Sequence, residues 1–157
     1  MNDINVLPTI DDIMAAHQRI QPFIHRTPIL TSEAINQIAG CEIYFKCENF
    51  QKVGAFKARG AANAVMKLTE EQMVNGVATH SSGNQAAAVA RAASVAGIKS
   101  YIVMPSNAPE IKKKAVAGYG GEIIECEPTL IARETTLKEV VARTGAVFIP
   151  PYDYLDV

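Results

Sequence analysis

Two short stretches of the sequence carry residues that could do chemistry. The first is GAFKARGA, residues 54–61, where a single lysine, Lys57, stands among glycine, alanine and one phenylalanine. We expect Lys57 at the start of a helix, where the positive end of the helix dipole and small apolar neighbours both disfavour a charged ammonium group. The neutral amine, which can form a Schiff base with a carbonyl compound, then becomes more available. A solvated surface lysine is the simpler alternative for any single lysine.

The second stretch is the loop SSGN, residues 81–84, which lies between an apolar run and a long alanine-rich segment. Two hydroxyls, a glycine and an amide at a helix N-terminus favour an anionic or hydroxyl-bearing small ligand. Turn and capping roles would explain the same residues without any ligand. Neither the dinucleotide fingerprint G-x-G-x-x-G nor a P-loop occurs, so a nucleotide cofactor is not indicated.

Strands that alternate with helices must position this loop. The apolar runs predict four strands, at residues 77–80, 101–104, 122–126 and 146–149. Helical spacing predicts three helices between them, at residues 85–96, 109–117 and 130–143, with Gly97, Gly118 and Gly145 as their ends. This alternation predicts βαβ crossovers, and hence a small doubly wound parallel sheet in a three-layer α/β/α arrangement. Ligands of such sheets bind beyond the carboxyl ends of the strands, where the loop lies.

The first half of the chain is less self-sufficient. It predicts a helix over residues 10–24, a short helix between Ser32 and Gly40, a strand over residues 42–47, and a helix that carries an apolar stripe after Lys57. No second strand is evident to satisfy the hydrogen bonds of residues 42–47. We therefore interpret this half as an incomplete part of a larger α/β domain.

Composition limits the classes of partner. The net charge is −1 and no basic face stands out, because the run Lys112–Lys114 is typical of one solvated helix face. Nucleic acid and membrane are therefore not expected as partners. Three widely spaced cysteines predict neither a disulfide framework nor a zinc site, and no metal site is predicted within the chain. With no signal peptide evident at the start, these features favour the cytoplasm.

Several motifs together resemble the fold-type II pyridoxal phosphate enzymes of the threonine dehydratase and serine racemase branch. They are HRTPILTSEAIN, ENFQKVGAFKARGA, THSSGN and CEPT, in consistent order and spacing. The resemblance implies that Lys57 forms the Schiff base with the cofactor, that Phe56 flanks its ring, and that Asn84 hydrogen-bonds the pyridoxal 3′-oxygen. Arg133 matches a position that contacts the substrate carboxylate. The loop that receives this carboxylate would comprise Ser81, Ser82, Gly83, Asn84 and Gln85.

The activity implied by the resemblance is that of an ammonia-lyase, which converts serine or threonine to a 2-oxo acid and ammonia. Ser82 occupies the place of the serine that returns a proton in the racemases, so serine racemase is the alternative. A non-catalytic α/β domain is the alternative from another class. Two residues depart from the family pattern: Ala55 replaces a serine that could cap the helix, and Gln85 replaces a histidine.

By the same resemblance, residues 1–75 belong to the large cofactor-binding domain, residues 76–153 form the small domain, and residues 154–157 begin the return to the large domain. The glycine-rich phosphate cup, the residue facing the pyridine nitrogen and a divalent cation site would follow Val157. We therefore expect little turnover from these 157 residues alone. The complete protein is expected to be a homo-oligomer that acts on a small amino acid.

Overall fold

The computed structural model of the chain describes residues 7–152 and 154–157. Residues 1–6, at the polar start, lie outside the described residues, as does Asp153, the last residue of the predicted small domain.

A parallel sheet of four strands organises the second half of the chain, as the alternation of strands and helices predicts. Its strands are β3 (Val77–His80), β4 (Ser100–Pro105), β5 (Glu122–Cys126) and β6 (Val147–Phe148). The order across the sheet is β5-β4-β3-β6, with Val77 opposite both Ser100 and Val147. The order reverses between β3 and β6, and a reversal of this kind opens a crevice at the carboxyl ends of the two strands.

Helices cover both faces of this sheet. They are α5 (Asn84–Ala96), α6 (Glu110–Gly118) and α7 (Leu130–Thr144). One face buries Ile102 and Met104 against Val89 of α5, and the other buries Val103 against Leu137 and Val140 of α7. The three-layer, doubly wound arrangement predicted from the sequence is thereby confirmed.

The first half contributes smaller elements. They are α1 (Ile10–Ile20), β1 (Ile29–Leu30), α2 (Glu33–Ala39), β2 (Phe45–Lys46), α3 (Lys57–Met66) and α4 (Glu70–Val74). The interpretation that no second strand exists here is wrong, because β1 pairs antiparallel with β2, with Ile29 opposite Lys46. Two residues after a proline are too short to show the alternation that identifies a strand. The predicted strand at residues 42–47 likewise shrinks to two residues.

Three of the four glycines predicted to end helices do so, the first of them Gly40, which is left-handed directly after α2. Gly97 and Gly145 adopt left-handed backbone conformations directly after α5 and α7. Gly118 is instead the last residue of α6, and the chain turns two residues later at Gly120, whose φ is +79°. A turn with positive φ needs glycine at only one position, and the sequence around Gly118 offers several.

Helix α3 packs directly on α5, so the two halves share one core. Ala61 and Val65 of α3 are fully buried in the same cluster as Val89 of α5. Small side chains along both helices allow this close approach. The arrangement fixes the start of α3 relative to the start of α5, where the two chemically interesting stretches lie.

Among the described residues, none of the helices is long and apolar enough to cross a membrane.

Candidate active site

A cavity of about 500 Å³ lies at the carboxyl ends of β3 and β6, within the range of about 300–1,000 Å³ that is usual for small-molecule sites. Its lining comprises Phe56, Lys57, His80, Ser81, Ser82, Asn84, Gln85, Leu130, Arg133, Pro151 and Tyr152. The structure thus brings together every predicted site residue except Gly83, which lies within the same loop. A Cβ atom at Gly83 would meet no other atom within 4 Å, so this glycine leaves open space above the loop.

Lys57 is the first residue of α3, as predicted. Its Nζ donates a hydrogen bond to the carbonyl oxygen of Pro151 and lies 5.5 Å from the ring centroid of Phe56. No side chain caps α3, because Phe56 occupies the N-cap position and Ala55 precedes it. The amine is therefore held at the cavity by a hydrogen bond to a backbone carbonyl. The amine can leave this carbonyl to react without breaking an ion pair.

The SSGN loop leaves β3 and enters α5 without a side-chain cap. The Ser81 N–H donates to the Val103 carbonyl oxygen at 3.0 Å, and the Ser81 hydroxyl accepts a hydrogen bond from the Gly83 N–H at 3.1 Å. Helix α5 begins at Asn84, one residue before the predicted start. The N–H groups of its first turn, together with the helix dipole, make this end of the cavity favourable for an anion.

Gln85 carries an unsatisfied acceptor. Its side chain is only 3 % exposed, and its Nε2 donates to the Pro150 carbonyl oxygen at 3.3 Å. Its Oε1 is buried and has no hydrogen-bond partner among the described residues. A buried oxygen without a partner costs about 1–3 kcal/mol, so a bound molecule with a donor group would be favoured here.

The positive charge of the cavity comes from Lys57 and Arg133. Arg133 lies in the first turn of α7, which Thr129 of the CEPT motif caps by accepting a hydrogen bond from the Ala132 N–H at 3.1 Å. None of the lining residues that the structure describes is acidic. The cavity therefore suits a ligand that carries a carboxylate or another anionic group.

His80, which was not among the predicted site residues, lines the cavity from the end of β3. Its ring is buried and stacks on Phe148, with centroids 6.2 Å apart. Burial lowers the pKa of His80, the charge of Arg133 lowers it further, and Glu134 opposes the shift. A neutral imidazole is thereby favoured. The position at the carboxyl end of a parallel strand was the available signal.

The segment Pro150–Tyr152, which follows β6, is a second part of the site that the sequence patterns do not indicate. Its carbonyl groups accept the hydrogen bonds from Gln85 and Lys57. The contacts are made by backbone carbonyl groups, which every residue type has, so the residue types do not predict them. The order of the strands in the sheet places this segment beside the SSGN loop.

In the run Lys112–Lys114, predicted as one solvated helix face, two of the three lysines are half-buried and have partners on other elements. Lys113 pairs with Glu125, and the Lys112 Nζ donates to the Asn84 Oδ1 at 2.9 Å. Lys114 alone is exposed. The pairing partners come from α5 and β5, which a pattern within one helix cannot reveal.

A polar cluster holds the first turn of α3 in place. Arg59 of α3 donates two hydrogen bonds to the Glu48 carboxylate, at 2.7 and 2.8 Å, and the Thr27 hydroxyl donates a third. These hydrogen bonds, chiefly that of Arg59, lower the pKa of Glu48 from 4.5 to about 2, although desolvation opposes them. The cluster links α3, which begins at Lys57, to the chain segments that carry Thr27 and Glu48.

We expect the Glu48→Gln variant to be less stable than the unmodified chain by about 1–2 kcal/mol at pH 7, since part of the pair is screened by solvent. The Glu48 pKa is depressed in the folded state, so its contribution is present above pH 4.5 and is lost as the pH falls through about 2. Urea denaturation at a series of pH values measures the difference in free energy of unfolding.

Glu139→Gln, at an exposed site on α7, is the matched control and should change stability little at any pH. A Glu48→Gln effect of equal size at pH 7 and pH 2 would show that the carboxylate charge is not its cause.

Known proteins match nearly the whole chain. A family model described as pyridoxal-phosphate dependent enzyme matches residues 20–157. A β-hydroxyaspartate dehydratase from Paracoccus denitrificans is 52 % identical over 147 residues, which cover 94 % of this chain and 47 % of that protein. A serine racemase from Dictyostelium discoideum is 48 % identical, with 95 % of this chain and 46 % of that protein covered.

Solved structures give the same result. The crystal structure of the Dictyostelium discoideum serine racemase matches with a TM-score of 0.90 at 47 % identity, over 94 % of this chain and 48 % of that one. The threonine deaminase from T.th. matches with a TM-score of 0.87 at 38 % identity, over 95 % and 47 % of the two chains. The chain spans about half the length of the curated relatives it matches.

Proposed function

Because the chain belongs to the family of pyridoxal-phosphate dependent enzymes, we propose that it carries the lysine and the substrate loop of an ammonia-lyase for β-hydroxy amino acids. The products would be a 2-oxo acid and ammonia, with serine or threonine as substrate. The observation that carries this proposal is the single cavity that brings Lys57, Ser82 and Arg133 together beside the N-terminus of α5.

The residues of the cavity fit the cofactor of the family. An amine lies beside an aromatic ring, and the buried Gln85 Oε1 still lacks a donor. The charge of Arg133 and the absence of acidic groups from the described lining suit the anionic groups of cofactor and substrate. When bound, pyridoxal phosphate supplies an electrophilic aldehyde and a ring that takes up electrons from the α-carbon of an amino acid.

The chain's own residues supply binding and proton transfer in this proposal. The SSGN loop, the first turn of α5 and the guanidinium of Arg133 bind the substrate carboxylate. This fixes the α-carbon relative to the Lys57 amine, which takes the α-proton as general base. The Pro151 carbonyl is the acceptor to which the Lys57 Nζ can return when it is protonated.

Serine racemisation is the second candidate, and the position of Ser82 favours it. Ser82 lines the same cavity as Lys57, and its hydroxyl is a second group there that can exchange a proton. A hydroxyl at this place can return the proton, and delivery to the face opposite Lys57 would invert the α-carbon. The relatives include a protein named dehydratase and a protein named serine racemase, so both reactions are tested together.

We expect the complete protein that carries this chain, loaded with pyridoxal phosphate, to release 2-oxo acid and ammonia in equal amounts from at least one of L-serine, L-threonine and 3-hydroxyaspartate. Alanine is the control, because it has no leaving group on the β-carbon. Coupled assays measure the oxo acid and ammonia, and chiral chromatography measures D-serine. D-serine without oxo acid would contradict the lyase and support the racemase. Neither product from cofactor-loaded protein would contradict both, leaving the non-catalytic domain.

A further inference from the structure

One lysine outside the cavity contacts a residue that lines it. Lys112 lies in the first turn of α6 and is half-buried, and its Nζ donates a hydrogen bond to the Asn84 Oδ1 at 2.9 Å. Asn84 is the first residue of α5 and part of the cavity lining. The contact joins the starts of two helices that follow neighbouring strands.

The chemistry of the pair fixes which way the amide of Asn84 points. The shape of an asparagine side chain does not distinguish its oxygen from its nitrogen, so the hydrogen-bond partners must decide. A lysine ammonium has three donors and no acceptor, so only the amide oxygen can face it. The NH₂ group then lies at the other end of the amide and remains available as a donor.

We propose that Lys112 is a positioning residue that turns the Asn84 amide so that its NH₂ group faces the cavity. The inference rests on the proposed function and on the role that the family resemblance implies for Asn84, a hydrogen bond to the 3′-oxygen of pyridoxal. Without Lys112 the amide can rotate and present its oxygen, which repels an anionic oxygen. With Lys112 in place, the ammonium also polarises the amide, and this strengthens the NH₂ group as a donor.

The neighbouring lysines provide matched controls. Lys114 lies on the same helix and is exposed, so Lys114→Met removes one positive charge close to Lys112 without touching the contact with Asn84. Lys112→Arg keeps a cationic donor, so it should retain most of the affinity for the cofactor. Asn84→Ala removes the group through which Lys112 is proposed to act.

The test is the affinity of the complete protein for pyridoxal phosphate, together with the absorption spectrum of the bound cofactor, whose ratio of bands depends on hydrogen bonding at the 3′-oxygen. We expect Lys112→Met to weaken binding by about three- to tenfold, the change that corresponds to one ordinary hydrogen bond, and to alter the ratio of bands. Lys114→Met should change neither. In the Asn84→Ala background, Lys112→Met should have no further effect.

Unchanged affinity and spectrum in Lys112→Met would overturn the inference, as would an equal effect of Lys112→Met with and without the Asn84 amide. Failure of the proposed function looks different, because the unmodified protein itself would then not bind the cofactor at Lys57.

Discussion

Replacing Lys57 by alanine is expected to lower the turnover of the complete protein by about 10³-fold or more, because one positioned general base contributes about 10²–10⁴-fold and covalent attachment of the cofactor is lost as well. The fold should remain, since alanine is a good helix former and the only described hydrogen bond of the Lys57 Nζ is to a backbone carbonyl. Steady-state rates and the circular dichroism of the purified variant measure the two effects.

Two variants separate the chemistry of this amine from its charge. Lys57→Arg keeps a cation at the start of α3 but cannot form the Schiff base, so it should be as inactive as the alanine variant. Lys52→Ala removes a lysine from the preceding turn and should leave turnover nearly unchanged. Substantial activity in Lys57→Arg would show that the charge, and not the amine, is what the site requires.

Replacing Ser82 by alanine is expected to reduce racemisation by about 10²–10⁴-fold, because the group that returns the proton is lost. Elimination should remain measurable, since the α-proton removed in the proposed elimination goes to Lys57. Both rates are obtained from one reaction mixture, by chiral separation of serine and by assay of the oxo acid. The ratio of the two rates is therefore independent of the fraction of active protein.

Ser94→Ala, on the exposed side of the helix that follows Ser82, is the control for loss of a serine hydroxyl. It should leave both rates unchanged. An equal loss of racemisation and elimination in Ser82→Ala would argue that Ser82 binds the substrate carboxylate and does not return the proton.

The sequence predicts the small sheet well because its strands are short runs rich in apolar residues that alternate with helices. Strand β3 and the α7 helix lie close to their predicted bounds. The motifs also lead to the family, and the comparisons confirm that resemblance. The elements that the sequence did not predict, such as β1, are two residues long and form by pairing with residues distant in the chain.

In the candidate site, too, some residues are predictable from the sequence and others are not. Lys57 and the SSGN loop are recognisable from residue types at helix starts. The Pro151 carbonyl and Lys112 are not, because they reach the site through the sheet order and through the packing of α6 beside α5. The domain limits near residues 75 and 153, the roles of the individual site residues and the homo-oligomeric state stay predictions.

The role of Lys57 is tested most directly by treating the cofactor-loaded complete protein with borohydride and mapping the labelled peptide by mass spectrometry. Borohydride reduces a Schiff base to a stable amine, so the residue that held the cofactor keeps a pyridoxyl group. We expect one such group, on Lys57 in the peptide that contains GAFK. A pyridoxyl group on another lysine, or none on protein that binds the cofactor, would contradict this expectation.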